Sequence, residues 1–136
     1  MVVNEIHNGV LQSRALTVTS ITSATTTNGD TIDTAGFEAL EFLLISTALA
    51  VTSGGFAVKL QHGDLANASD MADVDADEML GSADFGDADD NVAKRIGYIG
   101  KRRYVRVVIT STGTSISGSI GAIALRAKAH HKPTAA

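Results

Sequence analysis

The densest chemistry in this sequence is cationic. Lys94 and Arg95, then Lys101, Arg102 and Arg103, then Arg106 crowd between positions 94 and 106. Lysine and arginine at such density serve two kinds of partner. One is a nucleic-acid backbone, where every phosphate contact adds salt dependence. The other is an acidic protein surface, where complementary charge sets register and association rate more than affinity. A basic turn exposed to solvent is the plain alternative for part of the cluster. The rest of the chain weighs on the choice. Residues 1–93 hold all 15 acids and only two bases, Arg14 and Lys59, whereas residues 94–136 hold nine bases and no acid. The formal net charge of -4 therefore conceals a strongly dipolar chain. Such a chain can pair with itself or with the charged patches of a partner. Its acidic part would repel a polyanion, which favours a protein partner over nucleic acid.

Catalytic and metal-binding patterns are weak by comparison. Asp73-Val74-Asp75-Ala76-Asp77-Glu78 has the opening acids of an EF-hand loop but lacks Gly at its sixth position and Glu at its twelfth. Its period of two fits one solvated face of a strand instead. The histidines His7, His62, His130 and His131 show no HExxH or comparable ligand spacing, and there is no cysteine to supply a thiolate. Ser117-Gly118-Ser119-Ile120-Gly121 only superficially resembles a nucleophile elbow, and Gly97-Tyr98-Ile99-Gly100 lacks phosphate-loop spacing. The expectation is a protein that is not an enzyme, with no catalytic residue, no metal and no cofactor.

The elements that would position the cationic cluster are strands. Arg14–Ile21 alternates with β-branched residues. Residues 22–36 are turn-rich, and Asn28-Gly29 suggests a hairpin loop there. Phe37–Ala50 has enough Ala, Leu and Glu for a helix. A central strand buried on both faces is preferred, with Leu40, Phe42 and Leu44 on one side and Leu43 and Ile45 on the other. Ser53-Gly54-Gly55 reads as a turn, and Phe56–Gln61 as the second arm of a hairpin. Residues 62–91 carry ten acids and no base. They should be loops around one short strand near 72–80. Val92–Ile99 and Arg103–Ser111 read as strands joined by a basic turn, followed by a turn at 111–115 and a last strand, Ile116–Ala127.

Short strands at this spacing predict an all-β fold, an antiparallel β-sandwich or jelly roll with extended N- and C-terminal arms. The expected organisation is an N-terminal arm over 1–13, one sandwich domain over 14–127 and a flexible tail over 128–136. Neither a signal peptide nor a membrane-spanning run is visible, since the most apolar stretch, 37–51, is short and contains Glu38 and Glu41. Aromatic residues are scarce, which counts against a glycan-binding module. Tyr98 and Tyr104 keep that alternative open.

Gly36–Ser46, Val58–Gln61 and above all Asp90–Thr110, with its Lys-Arg-Ile-Gly-Tyr-Ile-Gly-Lys-Arg-Arg-Tyr core, resemble the capsid cementing, or decoration, proteins of tailed phages, that of a Bordetella podovirus among them. The resemblance covers about residues 36–127. It implies a jelly-roll protein on the outer surface of an icosahedral HK97-type capsid, made in the host bacterial cytoplasm. There it would cement neighbouring subunits of the phage major capsid protein, as a homodimer, with no nucleic acid or membrane as partner. It carries over no catalytic residue. The interface expected from the residues is Lys94, Arg95, Lys101, Arg102, Arg103 and Arg106.

Overall fold

A computed structural model of the chain describes residues 6–130. Ten strands account for most of it. They are β1 (Val10–Ser20), β2 (Thr26–Asn28), β3 (Ile32–Asp33), β4 (Phe37–Ser46), β5 (Ala50–Gly63), β6 (Ala72–Asp73), β7 (Met79–Leu80), β8 (Ala93–Tyr98), β9 (Tyr104–Ser117) and β10 (Ser119–Ala129). Two single-turn 3-10 segments, Ala68–Asp70 and Ala76–Glu78, interrupt the acidic stretch. No helix among the described residues is long and apolar enough to cross a membrane.

The strands form two antiparallel sheets. The first has the order β1-β10-β4-β8-β7 and the second β2-β9-β5-β6, with β3 also paired to β9. Chain-adjacent long strands repeatedly change sheet, which is the jelly-roll solution to burying two apolar faces against each other. The all-β sandwich expected from the sequence is therefore present. Its inner faces meet in a core that includes Phe42, Leu44, Phe56, Leu60, Ile96, Val107, Ile109 and Ile120, all nearly solvent-free. Each such side chain contributes roughly 1.5–3 kcal/mol relative to its exposed state.

Crossing between sheets, and a bulge within one of them, overturn several local expectations. Phe37–Ala50 and Phe56–Gln61 do not make a hairpin, because β4 lies in the first sheet and β5 in the second. The same holds for β8 and β9 around the basic turn. Ser53-Gly54-Gly55 and 111–115 are not turns either. They face each other across β5 and β9, where the register slips between Thr52↔Thr114 and Gly55↔Thr112. A Cβ on Gly54 would lie 2.1 Å from the Thr112 carbonyl oxygen, and Gly113 has φ +101°. Two glycine sites thus build one bulge that lets both strands run on for 14 residues. Asn28-Gly29 separates β2 from β3, both laid along β9, rather than turning a hairpin. The short strand expected near 72–80 is two pieces, β6 and β7, which belong to different sheets.

The sandwich extends beyond the expected boundaries. β1 starts at Val10, and Val10 pairs with Ala127. β10 continues to Ala129, opposite Phe37. The outermost parts of the expected arm and tail, 1–5 and 131–136, lie outside the described residues.

Candidate interaction surface

The acidic and basic parts of the chain fold onto each other. Arg103, at the entry to β9, makes a two-pronged contact with Asp33 of β3, with Nε–Oδ1 and Nη2–Oδ2 both at 2.8 Å. This bond holds the Asp33 carboxyl down to about 2 and raises the Arg103 guanidinium further above its ordinary value. Arg102 donates from Nη1 to Asp64 at 3.1 Å. Lys94 reaches Asp89 at 3.0 Å and lies over the Phe85 ring. Together with the Gly86 N–H, which contributes more, it lowers the Asp89 carboxyl. Arg106 donates from both Nε and Nη2 to Gln61 Oε1, at 3.0 and 2.7 Å. Arg95 stands 4.0 Å from Glu41. Of the six cations expected at an interface, five are engaged within the fold, and only Lys101 has no polar or charged side-chain partner among the described residues. The sequence cluster is scattered as well. Arg95 lies on the outer face of the first sheet, Arg106 on that of the second, and Lys94 at the open flank between them.

The acids of residues 64–90 also serve the fold. Beside β6, β5 has no continuous neighbouring strand, and the exposed edge is closed by carboxylates. Asp84 Oδ1 accepts from Val58 N at 2.7 Å, Asp87 Oδ1 from Val51 N at 3.0 Å and Asp90 Oδ1 from Leu49 N at 2.6 Å. Phe85 bridges to Phe56 through a reciprocal pair of backbone bonds. Side-chain oxygens thereby do what a missing strand would do for orphan amides. The period-two reading of Asp73, Asp75 and Asp77 fails for the same reason. Asp73 binds Lys59 and Gln61, which lower its carboxyl, whereas Asp75 and Asp77 belong to a 3-10 turn. Among the described residues, no group of three or more His, Asp or Glu side chains is placed to hold a metal ion.

The tyrosines do not form an open platform. Tyr98 is buried, its hydroxyl 2.9 Å from His62 Nδ1 and accepting from Arg102 N at 3.0 Å. Burial raises its phenol above the ordinary range. Tyr104 lies beneath the Arg103 guanidinium, 5.0 Å from the ring centroid.

The surface left without a partner is apolar. Alternation along β4 sends Leu40, Phe42 and Leu44 inward, as expected, but Leu43 and Ile45 are not buried on a second face. They stand outside, Leu43 38% and Ile45 59% exposed. Ile123 of β10, 48% exposed, is directly opposite Leu43, and Gly121 is opposite Ile45. Val18 of β1, 66% exposed, covers the Gly121 position, where a Cβ would come within 2.7 Å of it. Gly121 is therefore the residue that lets Val18 close up to the sheet. Leu80 of β7 extends the patch across Gly97 at the far edge. Arg14, Glu41 and Arg95 rim it. The sequence showed the Leu43/Ile45 alternation plainly, but apolar residues facing out carry the same signature as residues facing a core.

No family model matches the chain, and no curated protein matches it. Among solved structures it is similar to a chain of the structure of infectious bursal disease virus Gx strain, with 13% sequence identity and a TM-score of 0.55. The match covers 91% of this chain and 33% of that one, so the chain spans about a third of the length of the protein it matches. At this identity the likeness is one of fold alone.

Proposed function

We propose that the protein is a structural virion component that performs no catalysis. It binds the outer surface of an icosahedral HK97-type shell and cements neighbouring subunits of a phage major capsid protein. The observation that carries this reading is the apolar outer face of the first sheet, formed by Val18, Leu43, Ile45, Leu80 and Ile123 with a charged rim. Monomeric proteins seldom leave a contiguous apolar patch beyond a few hundred Å² without a partner for it. An apolar centre inside a polar rim is the anatomy of a protein–protein interface. The viral fold likeness and the resemblance of Asp90–Thr110 to cementing proteins supply the kind of partner.

This reading moves the interface. The expected cationic patch of Lys94, Arg95, Lys101, Arg102, Arg103 and Arg106 gives way to the apolar face, with Arg95 retained at its rim. Lys94, Arg102, Arg103 and Arg106 serve folding rather than a nucleic-acid backbone. Attachment of one copy to several subunits, or attachment as a homodimer, would multiply a modest affinity through effective concentration.

Cryo-electron microscopy of intact virions tests the reading. Density for the sandwich is expected at fixed external lattice positions, with the outer face of the first sheet against the shell. Finding the protein only in the tail, or only free in infected cells, rejects it.

A further inference from the structure

The ten lysines and arginines of the described residues sort into two groups. Eight have an ion-pair or hydrogen-bond partner within the fold, and Lys101 and Lys128 have none. These two are far apart in the sequence, yet both line the same cleft, of about 550 Å³, at the end of the first sheet. Its apolar lining includes Leu80 and Ile99, 57% and 53% exposed. The volume falls within the roughly 300–1,000 Å³ of ligand-holding clefts.

Two further features support a site. Lys128 has φ +53°, a left-handed conformation that a non-glycine residue adopts only at a cost. The strain falls between two regularly paired residues, Ala127 and Ala129, with no internal ion pair to account for it. The opposing wall carries Glu38 and Glu41, each with a basic side chain nearby. His130 is 3.5 Å from Glu38 and Arg95 is 4.0 Å from Glu41. Arg95 answers Glu41, and Lys101 and Lys128 outnumber Glu38, so the charge left over in this cleft is positive, and it stands beside exposed aliphatic surface.

We propose that the cleft docks an extended acidic segment of a protein partner, with a large apolar side chain seated on Leu80 and Ile99 and carboxylates on Lys101 and Lys128. This rests on the reading of the protein as a binder of a protein shell, and it names the chemistry of the segment recognised. A phosphate backbone fits less well. It would leave Leu80 and Ile99 uncovered, and the forked guanidiniums of Arg102 and Arg103 are committed to Asp64 and Asp33.

The test uses the full chain and a fluorescein-labelled acetyl-Asp-Leu-Asp-Ile-Asp-amide peptide at low salt, with anisotropy titration and backbone amide NMR shifts. A Lys-for-Asp peptide and a single-stranded oligothymidylate serve as comparison probes. The acidic peptide is expected to bind, with shifts confined to residues around 80, 99–101 and 128. The double variant Lys101→Glu/Lys128→Glu should weaken binding at least about tenfold, and Ile99→Ala should weaken it several-fold. Neither lysine has a side-chain partner among the described residues, so the double variant should keep the fold, which an unchanged amide spectrum elsewhere checks. Absence of binding, shifts located elsewhere, undiminished binding by the double variant, or preference for the oligonucleotide overturns the proposal. Retention of the protein on shells despite such a result removes the cleft from the account and leaves the cementing role standing. Peptide binding by a protein that shells do not retain does the reverse.

Discussion

The two outer faces of the sandwich solve the same problem in opposite ways. On the second sheet, Lys59, Gln61, Asp73 and Arg106 lie side by side and satisfy one another: Asp73 takes Lys59 and Gln61, and Gln61 takes Arg106. Nothing in that network asks for another molecule. On the first sheet the equivalent positions hold Val18, Leu43, Ile45 and Ile123, which water wets at a cost. Two faces of one domain, cut from strands of similar composition, thus differ in whether they are complete. A face finished by internal hydrogen bonds belongs to the fold, and under the proposed function a face left apolar belongs to an assembly.

The comparison can be broken most directly at its apolar side. The double variant Ile45→Lys/Ile123→Lys should lower affinity for shells by about 100-fold or more, since central apolar anchors dominate interface energy. Its thermal unfolding should stay close to that of the parent, because both side chains already face water. A binding loss no larger than that caused by Lys59→Ala on the opposite face would dissolve the distinction between the two. Next in size is the acidic edge, which the comparison assigns to folding. Asp84→Ala and Asp90→Ala should each cost about 1–2 kcal/mol in urea unfolding, the usual penalty for leaving an amide without its acceptor, with shell affinity little changed. On the polar face, Asp73→Ala should cost roughly 0–1 kcal/mol, as exposed networks do, and should leave binding alone. The smallest effect is a pH dependence. Asp33 has a carboxyl near 2 when folded, below its unfolded value. The contribution of its pair with Arg103 is therefore complete above about pH 4 and is lost as the pH falls through about 2. The difference in urea midpoint between the parent and Asp33→Asn should shrink over that window and vanish at its acid end. A difference that persists at the acid end would mean that Asp33 acts through packing rather than charge.

The fold class was legible because alternating β-branched strands leave a local signature, as in residues 103–111, whose Val105, Val107 and Ile109 do share the inner face. Connectivity was not. A glycine that permits a bulge, as Gly54 and Gly113 do, has the same local appearance as one that closes a turn. Whether a chain turns back into its own sheet or crosses to the other depends on the whole core. The cationic residues were also legible, but their roles were hidden in long-range pairing. Arg103 finds Asp33 and Arg102 finds Asp64, 70 and 38 positions away, and charge counted along a sequence does not reveal such matches. The apolar face was hidden for a related reason. Leu43 and Ile45 obey the same period as core residues, and only the absence of a layer above them marks them as different.

The carboxylates along β5 have a consequence for crowding. An unsealed sheet margin is a template on which neighbouring copies zip into fibrils when their local concentration is high. Where Asp84, Asp87 and Asp90 occupy the amides of Leu49, Val51 and Val58, a second chain finds neither a donor to grip nor a neutral strip to lie on. Many copies can then stand shoulder to shoulder on that side without merging, each remaining a separate body.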